Sequence, residues 1–185
     1  MDPAYLADLD RLFRDITIAA PPGWEEKKRV FQRDVQADDV ALRGIYLELV
    51  LGVTLIRAGV PLAFPARPDI VVNGALGLEA TAIKPEFSYC GERPLDAFSR
   101  EVDFVKEKIV LTAESKQHQA ADYPTLLVVG IAHAWAASVR HQSTWAYDLR
   151  EIYTHIGAFA GVVVVNVNYG EPLVHSAVSV TDDSR

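Results

Sequence analysis

The chain has 185 residues, half of them hydrophobic, with 25 acidic against 18 basic side chains and a net charge of −7. That is enough for one domain with a sizeable core, and the acidic balance excludes a generally basic nucleic-acid binder, while leaving room for a local basic face. One cysteine, Cys90, excludes an internal disulfide framework and points to a reduced, cytoplasmic setting. No histidine signature accompanies Cys90, so it is not expected to be a nucleophile. The first residues lack a signal-peptide pattern. No apolar run reaches the ~18 residues of a membrane span, so no membrane partner is expected.

Residues 2–14 place Tyr5, Leu6, Leu9, Leu12 and Phe13 at helical spacing. A break follows at Ala19-Ala20-Pro21-Pro22-Gly23. Residues 24–36 form a charged amphipathic stretch with Val30, Phe31 and Val35 as its apolar side. Residues 1–37 thus read as an N-terminal helical extension that covers a sheet edge or builds a dimer, and no chemical role is assigned to them. The main α/β domain is expected over residues 38–185. It opens with a helix from Asp38-Asp39 to about Ala58, acidic at its positive end and stopped by Gly59-Val60-Pro61. This helix is apolar nearly all round, hence buried. Glu48 lies in its middle, and Gly44, Glu48 and Gly52 share one face, an arrangement that lets another backbone approach the carboxylate. A pair of Glu48 with Arg43 or Arg57 is the structural alternative.

Residues 67–83 read as a hairpin. Ile70-Val71-Val72 is β-branched, Asn73-Gly74 is a turn pair, and residues 76–83 are apolar except at Glu79 and Thr81. Asp69 and Glu79 interrupt this apolar pattern. Buried carboxylates are costly unless paired, hydrogen-bonded or bound to a cation, and Mg²⁺ favours oxygen ligands.

Residues 84–94 are polar and turn-rich, a loop that would reach over the site. A long helix over 95–120 has an apolar stripe of Phe98, Val102, Val105, Ile109 and Leu111, and its polar face carries Lys106, Lys108, Lys116 and Gln117. Lys108, Thr112 and Lys116 align at four-residue spacing. Residues 123–131 form a buried strand, 132–140 a loop or short helix, 144–159 a helix, 161–166 a buried strand and 173–180 an edge strand before a polar tail. There is no phosphate-binding glycine loop, no Cys/His zinc pattern and no nucleophile elbow. Trp135, Trp145 and Tyr147 read as core or partner-facing aromatics.

Pro68-Asp69, a hairpin, then Glu79 resembles the core motif of the PD-(D/E)XK nuclease superfamily. The order helix, hairpin, helix, strand, helix, strand resembles its restriction-endonuclease-like fold, a mixed central sheet flanked by helices. The resemblance covers roughly residues 39–166. It implies a Mg²⁺- or Mn²⁺-dependent endonuclease acting on DNA phosphodiesters, with Asp69 and Glu79 on the metal and Glu48 on it directly or through water. The family's motif lysine, two positions after the Glu, is Thr81 here. Some members supply that lysine from the following helix, and Lys116 resembles this variant. Lys84 is its rival, five residues after Glu79 and therefore on the opposite strand face. Lys108 is expected to contact substrate. Cutting both strands of a duplex further implies a homodimer, with Tyr5, Leu9 and Phe13 as interface surface. The alternative is a catalytically inactive nuclease-like module for binding or assembly.

Overall fold

The structure, a computed structural model, describes residues 3–34, 39–83, 94–120, 122–131, 155–166 and 177–181. Three helices come first: α1 (Pro3–Ala19), α2 (Trp24–Asp34) and α3 (Asp39–Arg57). Strands β1 (Leu62–Ala63), β2 (Ile70–Val72) and β3 (Leu76–Ile83) follow, then α4 (Pro94–Lys116), whose end tightens into a 3₁₀ turn at Gln117–Ala120. Strands β4 (Thr125–Ile131), β5 (Gly161–Asn166) and β6 (Ala177–Thr181) complete the described part. The protein is mixed α/β. Its sheet runs β1-β2-β3-β4-β5-β6. The β1–β2, β2–β3 and β5–β6 pairs are antiparallel, and β3–β4 and β4–β5 are parallel. The parallel step from β3 to β4 needs a long crossover, which contains α4.

Strand alternation assigns the two faces of the sheet. Leu78, Ala80 and Val128 join one core with side chains of α1, α2 and α3. Ile83, Leu127, Val129, Val162 and Val164 join a second core with Val105, Ile109 and Ala113 of α4. Glu79 has the parity of Ile83, so it faces α4, whereas Glu48 comes from α3 on the other face.

The N-terminal helices are built into the first core. Tyr5, Leu9, Leu12 and Ile16 of α1 and Trp24 and Phe31 of α2 are buried with Leu42, Ile45, Leu49 and Val53 of α3. Tyr46 donates a 2.6 Å hydrogen bond to Asp8, and Arg57 pairs with Asp15 at 2.7 Å. Tyr5 and Leu9 are therefore consumed inside the chain and offer no dimer surface. On α2 the apolar side differs from the expected one. Trp24 and Phe31 are buried, while Val30 is exposed, because α2 lies on α1 through positions 24 and 31, seven residues apart on one face.

Other departures have local causes. The two-residue β1 carried no periodic signal and exists through its pairing with β2. The glycines flanking Glu48 admit no backbone. A Cβ on Gly52 would meet the Phe64 and Ile16 side chains, and one on Gly44 would meet nothing within 4 Å. The end of the helix expected over 144–159 is a turn at residues 155–160, where Gly157 has φ +62°. The rest of that helix, the loop with Lys84 and Cys90, and Trp135, Trp145 and Tyr147 lie outside the described residues. Among the described residues, no helix is long and apolar enough to cross a membrane.

Candidate functional site

Strand β2 begins only at Ile70, opposite Leu78 of β3, so β3 runs on past the end of the hairpin ladder. Gly77 donates to the Pro124 carbonyl on the β4 side at 2.9 Å. Alternate residues of a strand bond to opposite neighbours, so the backbone of Ala80 faces the side where β2 has stopped. Both of its polar groups are satisfied by side chains. Its N–H donates to Asp69 Oδ2 at 3.0 Å, and its carbonyl accepts from Lys116 Nζ at 3.1 Å. The unpaired end of the hairpin thus fixes Asp69 and Lys116 on either side of Glu79.

Lys116 is the last α-helical residue of α4. From there its ammonium reaches Glu79 Oε1 at 2.5 Å. Val105, Ile109 and Ala113 bury the neighbouring stripe of α4, which sets Lys116 at the sheet surface with 27 % of its side chain exposed, against 1 % for Glu79.

On the other face stands a lysine that no sequence motif singles out. Lys27 Nζ lies 2.7 Å from Glu48 Oε2 and 2.8 Å from Asp69 Oδ1. The contact with Asp69 is a hydrogen bond. The contact with Glu48 is an ion pair without hydrogen-bond angles, so Glu48 Oε2 is buried and lacks a well-formed hydrogen bond. Lys27 is held by its helix start. Phe64 N–H donates to the Pro22 carbonyl at 2.8 Å. Gly23 has φ +80°, and a Cβ there would lie 1.9 Å from the Phe64 carbonyl oxygen. Only glycine allows that approach. Trp24 packs on Phe64 with ring centroids 5.3 Å apart, and Lys27 Nζ is 5.1 Å from the Phe31 ring centroid.

Three carboxylates thus face two ammonium groups. Burial, and then the charge of Asp69, push Glu48 up to about 8. Burial and Asp69 also raise Glu79. Burial works against the Lys27 ammonium, but Glu48 and Asp69 outweigh it and hold its pKa above the ordinary lysine value. Glu79 Oε2 is buried with no hydrogen-bond partner. The cluster is short of positive charge and of donors, which is what makes a carboxylate retain a proton.

Of the residues expected to form the site, Glu48, Asp69, Glu79 and Lys116 come together from α3, the β2 approach, β3 and α4. Glu48 pairs with Lys27 rather than Arg43 or Arg57. Lys108 does not join them; its Nζ sits 5.3 Å from the Phe104 ring centroid, two turns back along α4. Lys27 was legible only as a lysine between Trp24 and Phe31 on the buried side of α2 (positions i, i+3 and i+7).

Among the described residues, no three His, Cys, Asp or Glu side chains converge into a ready-made ion cage. The donor chemistry nevertheless fits a hard cation. All three acids offer oxygen ligands, two buried oxygens, Glu48 Oε2 and Glu79 Oε2, have no hydrogen-bond partner among the described residues, and burial raises the pKa of both glutamates. No protein-family model, curated protein or solved structure matches the chain.

Proposed function

We propose that the protein is a divalent-cation-dependent nuclease with a restriction-endonuclease-like fold, hydrolysing DNA phosphodiester bonds. The observation that carries this is the meeting of Glu48, Asp69, Glu79 and Lys116 where the hairpin ladder ends, with Lys116 against Glu79 in place of a lysine at Thr81. The sheet order, with α4 in the crossover between parallel β3 and β4, also supports it. Asp69 and Glu79 would hold Mg²⁺ or Mn²⁺, with Glu48 beside them. The cation, when bound, supplies polarisation of the phosphate and acidification of the attacking water. Lys116 orients that water and stabilises negative charge developing on the phosphate. Glu48, Asp69 and Glu79 would supply the binding charge as carboxylates.

Plasmid cleavage in Mg²⁺ or Mn²⁺, run beside Asp69→Ala and Glu79→Ala, tests the assignment. Both substitutions should abolish cutting, and cutting that survives both overturns it. A second reading, an inactive binding or assembly module, is favoured by Lys27, which already bridges Glu48 and Asp69. It is preferred if calorimetry finds no Mg²⁺ or Mn²⁺ binding and Asp69→Asn leaves thermal stability unchanged or raised. Cutting both strands would call for a two-fold dimer, built on surface other than Tyr5 and Leu9. Light scattering that gives a 20.4 kDa monomer at micromolar concentration would count against it.

A further inference from the structure

Lys27 is an unusual lysine for its helix. Glu25, Glu26 and Arg29 are exposed around it, yet Lys27 is turned inward with 13 % of its side chain exposed. The turn is enforced from both ends. Gly23 and Pro22 clamp the start of α2 to Phe64, and Phe31, one turn further on, is buried in the core. The ammonium therefore arrives in the gap between Glu48 Oε2 and Asp69 Oδ1 by construction, at 2.7 and 2.8 Å.

We propose that Lys27 is an internal counter-ion which a divalent cation must displace. It holds Glu48 and Asp69 together in the cation-free protein, and it leaves their gap when the cation enters. This rests on the carboxylate cluster being a cation site, as proposed above, and adds the residue that competes for it. Two oxygens that both contact one ammonium nitrogen flank a single gap, which an ion would fill by drawing them closer. A hard cation binds oxygen at about 2.0–2.6 Å, with the ligands drawn around it. An ammonium and a cation cannot occupy the same gap. Displacement also carries a consequence for the fold. Lys27 belongs to α2, so loading the site releases a tether between the N-terminal helices and the hairpin. The remaining anchors, Trp24, Phe31 and the Gly23–Phe64 contact, keep α2 in place while the side chain swings out.

The experiment uses the full chain and two readouts that do not depend on cleavage. First, Mn²⁺ binding is measured by calorimetry for the wild type and Lys27→Met, which keeps the apolar stem and removes the charge. Lys27→Met should bind about 10-fold more tightly or better, the usual scale on which losing a competing interaction of about 1.4 kcal/mol is read. Second, the wild type is pulsed with acetic anhydride with and without Mn²⁺, and acetylation of Lys27 is compared with that of Lys28 by peptide mass spectrometry. Mn²⁺ should raise Lys27 labelling several-fold and leave Lys28 unchanged. This arm stands even if Lys27→Met fails to fold. Mn²⁺ binding to the wild type with Lys27 labelling unchanged overturns the inference and leaves the cation site intact. Binding by neither protein overturns the cation site and the inference with it. Binding by Lys27→Met alone supports the inference, because it shows the ammonium to be the obstacle.

Discussion

The two lysines of the site occupy opposite faces of the sheet and are held in different ways. Lys27 comes from the first turn of a short helix clamped at Gly23 and buried at Trp24 and Phe31, and it bridges two acids beside the first core. Lys116 comes from the last turn of α4 and touches one acid and one carbonyl. It is twice as exposed as Lys27. An ammonium enclosed between two acids serves to hold them. One at a helix end, beside a single acid and open to solvent, is free to meet a substrate. On the proposed function, the difference separates a residue that assembles the site from one placed to act in it.

Substitution breaks or sharpens that contrast. Lys27→Ala should cost the most stability, about 3–5 kcal/mol in chelator, because breaking a buried pair leaves acids uncompensated. The measurement is the urea midpoint in EDTA, and a loss under about 1 kcal/mol would reduce Lys27 to a surface charge. Lys116→Ala should act on the chemistry. Turnover falls by about 10²-fold or more, the scale for losing a positioned proton-transfer group, with Mn²⁺ affinity kept. Equal cleavage by the variant and the wild type in single-turnover assays would remove Lys116 from the chemistry.

The next effect concerns pH. The folded protein holds the Glu48 proton up to about 8, against an ordinary value of 4.5. A raised pKa stabilises the fold below the ordinary value and ceases to do so as pH rises through the folded one. Stability in EDTA should therefore fall between about pH 4.5 and 8 for the wild type, and less so for Glu48→Gln, which carries no titrating group. Parallel profiles for the two proteins would show that Glu48 titrates normally. The smallest effect is expected at Lys108. Lys108→Ala should leave kcat unchanged and weaken DNA binding modestly, more at low salt, as for a phosphate contact. Loss of single-turnover cleavage there would reverse the roles of Lys108 and Lys116.

How far the sequence could be read depended on the range of the interaction. The buried strand over 161–166 and the helix around Glu48 follow from local apolar patterns, and the structure places both at nearly the expected bounds. The parity of Glu79 fixed the side from which a lysine had to come, and Lys116 is there. Lys27 escaped because a lysine in Trp-Glu-Glu-Lys-Lys-Arg looks like any solvated charge. Its partners lie 21 and 42 residues away, and no local period reports them. β1 escaped for the same reason, since two residues gain strand character only from β2. Tyr5 and Leu9, read with Phe13 as interface surface, pack instead against α3, because an amphipathic stripe does not say whether its partner is the same chain.

The shortness of β2 has a consequence for the proline ahead of Asp69. Pairing halts at Ile70, and the chain before it bends away, so that the Pro68 ring lies against Gly77, where an added Cβ would meet Pro68 Cγ at 2.7 Å. A proline has no N–H to give to a ladder, and the early halt leaves a notch in the sheet margin. Ala80 keeps one donor and one acceptor facing that notch, and an acid and an ammonium lodge on them. The early end of β2 thus leaves an opening in the weave, and the acids of the site gather there.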